Sequence, residues 1–541
     1  MTFSPVFKCT HFPKLTGLPS SWPCLASPSP RCLPSPDGKF VATLLPSYIS
    51  IRAVDTLDIV RTIKLPADLT EAITAFVWSS ATKRILISGA DEIHVYSATE
   101  ANFHATIRNP SSSIAKSTFV DFGATDHEAC VCSAHGIRLS LFNLASSKVV
   151  EISNPKFYTA SSAARGFSFR PHTRHLALLT RTLGKDTVSI HAPDSREVQR
   201  SWSPDTVDAQ GLSWAPDGKW LVMWESASQG HRVLFFTPDG HKYRDWSGPL
   251  HPASDDVHTR LAAGVKLVVF SPDSRYLAIG DYGRCISVLP MATMTDQLQL
   301  IHPLAVEPQD TVQIWQEQVD HAPNGQDPVH KFIRASQPVA PAARALSNAQ
   351  DIRTGPLFML FDCSATLLVV VLEDAPSTLW IWDISVSEIR AVIMFHAEIS
   401  KLEWHPVQAE LLLVECEGQD HVGVAFAWDP LSEGPRTVDF KAQLPQGKVC
   451  GRCSTHWLRN QQGPASLFFT DSKSYALATV VDVDQDELPW IVRQPTSSAS
   501  LRRAAHSPLA SAKESDGDDS DMDGDASRLD DTFQFKKFGA L

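Results

Sequence analysis

The nearest approach to a reactive cluster in this sequence is Cys450-x-x-Cys453, followed by His456. A structural zinc ion asks for four such ligands. No second Cys or His pair lies near enough in sequence to supply the rest, so these read as core cysteines beside a polar histidine. Cys130 and Cys132 flank Val131, the spacing that alternates across a strand. His172 and His175 fall in Pro-His-Thr-Arg-His, where a hairpin should turn, and read as polar turn residues. There is no Gly-x-Ser-x-Gly elbow, no phosphate-binding loop and no His-Glu-x-x-His. The expectation is a chain without catalytic residues, metal or cofactor, and therefore not an enzyme.

The elements that would hold any other site come from a repeat. Leu212–Trp224 reads LSWAPDGKWLVMW and Val268–Gly280 reads VVFSPDSRYLAIG; Phe167–Leu179 and Leu402–Val414 follow the same phrase. Weaker copies occupy Phe76–Ile87 and Met359–Val371, with others around Phe122 and Trp457, and a first copy at Leu33–Leu44 lacks the aromatic. The marker aromatics Trp78, Phe122, Phe169, Trp214, Phe270, Phe361, Trp404 and Trp457 recur about every 44 residues, the length of a four-stranded propeller blade. The 91-residue gap from Phe270 to Phe361 is the exception. Pro-Asp-Gly or its equivalent turns the hairpin. The strand after it is nearly all apolar, as a strand covered on both faces must be. Trp382-Asp383 and Trp428-Asp429 each end a third strand in the WD manner. The predicted fold is an all-β, WD-type β-propeller of about nine four-stranded units over residues 32–490, as one large ring or two propellers.

Composition agrees. The 541 residues are 43% hydrophobic and 20% charged, enough for a large core. Sixty acidic against 48 basic side chains leave a net charge of −12, which disfavours a general nucleic-acid binder. No apolar run approaches a membrane span, and the opening MTFSPVFKCTHFPKL lacks a secretory pattern. Ten cysteines make no disulfide scaffold, so a reduced, cytosolic protein is the simplest reading.

Four segments lie outside the repeat. Residues 1–9 suggest a strand that closes the ring by pairing with the last blade. Residues 10–31 carry five prolines and suggest either a flexible insertion or a misdrawn exon boundary. Residues 303–356 form an insertion rich in Pro, Ala, Gln and Asp, either an ordered hairpin on the ring or a disordered loop. Within it Trp315 and Phe332 are the candidate partner-binding residues. The acidic tail, 491–541, should be disordered. There Ser511, Ser515 and Ser520 each precede an acid by three residues, the pattern of acid-directed kinases. Its end, TFQFKKFGAL, reads as a short docking motif or a chance cluster.

The opening MTFSPVFK, the first blade at Ser35–Ile63, SPDTVDAQGLSWAPDGKWLVMWES (Ser203–Ser226) and HPLAVEPQDTVQIWQE (His302–Glu317) ahead of the insertion together resemble the WD repeat-containing protein 8 family, in a fungal-type form. The likeness runs from Met1 to about residue 483; residues 10–31 and the tail depart from it. It implies a scaffold in the cytoplasm and cytoskeleton, at the spindle pole body or microtubule-organising centre. Its partners would be a coiled-coil anchoring protein, a minus-end-directed kinesin and microtubules; the acidic charge balance and the lack of a long apolar run add the expectation of no nucleic acid and no membrane. The competing readings are a translation-initiation-factor-like propeller on ribosomes, a general interaction scaffold, and a propeller-bearing peptidase. The last needs a second domain for which no length remains.

Overall fold

In a computed structural model of the protein, the repeated phrase folds as its residues dictate. In Ala215-Pro216-Asp217-Gly218, Gly218 adopts φ +70° and its N–H donates to the Ala215 carbonyl at 2.8 Å. Asp217 accepts from the Lys219 N–H at 3.0 Å. Proline presets the turn and the left-handed residue completes it, so the flanking strands pair antiparallel.

The structure describes residues 6–10, 32–66, 69, 73–109, 119–133, 136–156, 166–249, 264–295, 298–321, 328–342, 355–441, 444, 449, 451–459, 464–471, 474–481 and 533–534. They are all-β apart from short helical turns, and no helix among them is long and apolar enough to cross a membrane. Among the described residues the strands form nine sheets, eight of them built around four antiparallel strands in chain order. Blade one begins at Cys32–Pro34, and the marker aromatics end or nearly end the first strand of each later blade. Second strands such as Arg84–Ser88, Glu128–Cys132 and Leu367–Leu372 are buried at every position. Fourth strands such as Val198–Trp202 are mostly exposed, which puts them at the rim.

Nine apolar clusters join each blade to the next. The cluster of Cys32, Val41, Leu458, Phe468 and Leu477 joins blade nine to blade one, so the blades make one closed ring and not two propellers. A large side chain in such a wedge contributes about 2–3 kcal/mol by burial before entropy is counted. The fourth place in blade nine is taken by Val6–Thr10, antiparallel to Tyr475–Val481 with Val6 opposite Val481.

Two blades are wider. Blade seven has six strands because the insertion adds a hairpin, Gln313–Asp320 and Val329–Arg334. Its first arm runs parallel to the blade's fourth strand, Glu388–Met394, with Trp315 opposite Ile393. Blade two has a fifth strand of two residues, Phe533–Gln534, antiparallel to His104–Arg108. The remainder of the tail, including Ser511, Ser515 and Ser520, lies outside the described residues, as do residues 11–31 and Cys450.

Candidate functional site

Alternation decides which side chains the hairpin presents. In Val329–Arg334, His330 points inward and is buried, Phe332 is half-buried, and Val329, Lys331 and Ile333 are exposed. Trp315, 8% exposed, packs into the cluster between blades seven and eight, and its indole N–H donates to Gln313 Oε1 at 3.2 Å. Phe332 meets Phe395 and Phe426 edge to face, with ring centres 5.7 and 5.4 Å apart. The arrangement suits aromatic quadrupoles. Trp315 therefore anchors the hairpin. The hairpin's open face is Val329 at 51% exposure, Ile333 at 48%, and the lysine between them.

Beneath the hairpin lies its one buried polar cluster among the described residues. The Glu317 side chain is fully buried, with those of His330 and His421 nearly so. His330 Nδ1 donates to Glu317 Oε1 at 2.6 Å, and His421 Nε2 donates to the same carboxylate at 3.0 Å. The His396 N–H adds a third bond at 2.7 Å. Burial alone would raise the Glu317 pKa, but these donors outweigh it and pull it down to about 2. His330 Nε2 also lies 3.2 Å from the Asp420 carbonyl. His421 and Asp420 belong to a loop of blade eight; Thr437 donates to the His330 carbonyl and Gln313 to the Pro430 carbonyl. The cluster thus bolts a blade-seven extension onto blade eight.

The same three side chains offer one oxygen and two nitrogens within 4.8 Å of one another, a donor set that suits a small divalent cation. As arranged, both imidazoles are turned onto the carboxylate, and a cation would have to come between them and it. Sequence reasoning missed this cluster. Glu317 and His330 are separated by a hairpin turn and His421 sits in another blade, so no local spacing announces them.

The stretch Ser203–Ser226 acts as a clamp between blades. Asp186 of blade four accepts from the Ala209 N–H at 2.7 Å and from Lys156 Nζ at 3.0 Å. Asp208 takes Lys156 and Arg181 at 2.7 and 2.6 Å. Glu225 of blade five accepts from the Asp208 N–H at 3.1 Å and Arg232 at 2.8 Å. The crossing segment is therefore pinned by acids on both sides. One blade back, Glu128 and Arg196 form a buried two-pronged pair at 2.6 and 2.7 Å.

The other sequence candidates are placed plainly. Cys130 and Cys132 are fully buried in a second strand. Cys453 is a free thiol, pushed up by burial, and His456 contacts Glu403 at 3.1 Å and Lys401 at 2.9 Å. His172 lies in the turn between the first two strands of blade four.

No family model matches the chain. It is 25% identical to mouse WD repeat-containing protein WRAP73 over 442 residues, covering 78% of this chain and 89% of the relative. It is 21% identical over 399 residues to an uncharacterised WD repeat-containing protein of Schizosaccharomyces pombe, covering 70% of this chain and 74% of that one. Both likenesses support the WD-repeat family. Among solved structures, one described as a eukaryotic initiation factor overlays with a TM-score of 0.46 at 10% identity, covering 77% of this chain and 89% of that one.

Proposed function

We propose that the protein is a non-enzymatic WD-repeat scaffold at the spindle pole body or microtubule-organising centre. There it binds a coiled-coil anchoring protein, and through it a minus-end-directed kinesin, so that microtubule minus ends are held at the pole. The observation that carries the binding part is the blade-seven hairpin. It is bolted to two blades from below and offers an apolar edge strand, Val329 and Ile333 around Lys331, above. Natural proteins cover or charge such edges, and an amphipathic helix laid along this one would bury its apolar stripe. The pole assignment rests on the family resemblance read from Ser203–Ser226 and His302–Glu317.

The test is affinity purification of the full chain from mitotic cells, beside the double variant Val329→Glu, Ile333→Glu, with bound proteins identified by mass spectrometry. Recovery of a coiled-coil pole protein by the native chain, and its loss from an equally stable variant, is expected. Recovery of ribosomal subunits without pole components would replace this reading with the translation one. Equal recovery by both chains would move the binding surface off the hairpin.

A further inference from the structure

The buried cluster beneath the hairpin sets one histidine between two acceptors. His330 Nδ1 lies 2.6 Å from Glu317 Oε1, and its Nε2 lies 3.2 Å from the Asp420 carbonyl. A carbonyl and an ionised carboxylate only accept, and a neutral imidazole has a single N–H. If Nδ1 donates, Nε2 turns a lone pair on the carbonyl. If Nε2 donates, Nδ1 turns a lone pair on the carboxylate. An added proton would serve both contacts, and so would a cation seated between Nδ1 and the carboxylate.

The surroundings favour the cation. Metal-bound histidines place their other N–H on a backbone carbonyl or a carboxylate, as His330 Nε2 is placed on Asp420. Ligating carboxylates are themselves held by hydrogen bonds, and Glu317 Oε2 takes the His396 N–H at 2.7 Å. His421 closes a third side, its Nε2 lying 3.0 and 3.2 Å from the two Glu317 oxygens. Phe426 stands edge-on to both imidazoles, with ring centres 5.6 and 5.9 Å away, and walls the donors with apolar surface.

We propose that this cluster is a structural zinc site, in which Glu317, His330 and His421 ligate one ion that fastens the blade-seven hairpin to blade eight. Two imidazoles and a carboxylate suit zinc, whereas calcium and magnesium take oxygen ligands. Tetrahedral ligands about 2.1 Å from zinc lie about 3.4 Å apart. Opening the present 2.6 and 3.0 Å separations to that value takes side-chain movements of less than about 1 Å. The second Glu317 oxygen or one water takes the fourth place. The ligands come from Gln313–Asp320, Val329–Arg334 and the loop ahead of Val424–Trp428, one from each. No segment holds the ion alone, so binding is coupled to docking of the hairpin. The site involves no partner protein and stands whether or not the hairpin's open edge binds one.

The experiment strips the full chain with a chelator, returns zinc alone, and reads the stoichiometry by competition with a chromogenic chelator. One zinc per chain is expected. X-ray absorption at the zinc edge should show nitrogen and oxygen ligands at about 2.0–2.2 Å and no sulfur at about 2.3 Å. At constant pH, amides of both hairpin arms should exchange more slowly with zinc than with chelator. His421→Ala alters a loop residue and should weaken zinc about 100-fold or more, beyond the usual cost of losing an outer-shell partner. In that variant zinc should no longer slow exchange. The measurements on the native chain decide the matter even if the variant fails to fold. Absence of zinc binding would leave the cluster held by protons alone. A shell containing sulfur, or hairpin exchange indifferent to zinc, would place the ion elsewhere. Each of these results would overturn the proposal.

Discussion

Replacing Glu317 by Gln tests whether the buried carboxylate holds the hairpin to the ring. The substitution keeps the shape but removes the charge that two histidines and a backbone N–H converge on. A fall in pKa from 4.5 to about 2 corresponds to about 3 kcal/mol of preferential stabilisation of the charged form in the folded state. Because the folded pKa is depressed, that stability is fully present above pH 4.5 and drains away as pH falls toward 2. Hydrogen exchange reads it locally. If the cluster is the hairpin's main bolt, amides of Gln313–Asp320 and Val329–Arg334 should exchange up to about 100-fold faster in the variant at pH 7. The difference from the native chain should shrink steadily below pH 4.5. Unchanged protection at pH 7 would show that Trp315 and Phe332 hold the hairpin unaided. A difference independent of pH would show that lost shape, and not lost charge, is responsible.

Other outcomes follow from single contacts. Glu128→Ala strands the buried Arg196 guanidinium and should cost about 3–5 kcal/mol, seen as a lower denaturant midpoint; Glu128→Asp should recover part of it. Gly434 has φ +91°, and an added Cβ would lie 2.9 Å from the Trp315 ring, so Gly434→Ala should destabilise by about 1–3 kcal/mol in thermal melts. His302 accepts from the Trp382 indole and faces the Arg284 carbonyl, while His405 Nδ1 accepts two backbone N–H groups; burial lowers both to about 4. Both folded values lie below the ordinary 6.5, so stability present above pH 6.5 should be lost as pH falls toward 4, by up to about 3 kcal/mol each. A flat melting temperature across that window would refute the neutral assignment.

The ring was legible because its signals are local. Trp214, Phe270 and Trp404 end the first strands that the phrase assigned to them, and Ala215-Pro216-Asp217-Gly218 turns where its residues require. The choice between one ring and two was not legible, because it depends on Phe468 and Leu477 meeting Cys32 and Val41 across the whole chain. The insertion could be read as a hairpin, but its parallel seat beside Glu388–Met394 could not, since nothing in Gln313–Asp320 encodes which edge it joins. Trp214 and Trp404 look alike in sequence and both fill wedges, yet the Trp404 indole donates to the Leu360 carbonyl while that of Trp214 reaches no acceptor among the described residues.

The seam in blade nine also sets a schedule. Thr10 pairs with Leu477, so about 470 residues must be made before the first strand meets its place. At the usual pace of synthesis that is about 25–90 seconds. Loop closure over such a span costs about 2 kcal/mol more in entropy than over a tenth of it, so the seam carries a modest energetic cost beside the delay. During it, earlier blades can pack pairwise on the ribosome while the first strand waits unpaired. An engineered copy that moved Val6–Thr10 to follow Val481 would abolish that wait, and should close as soon as its last blade emerges.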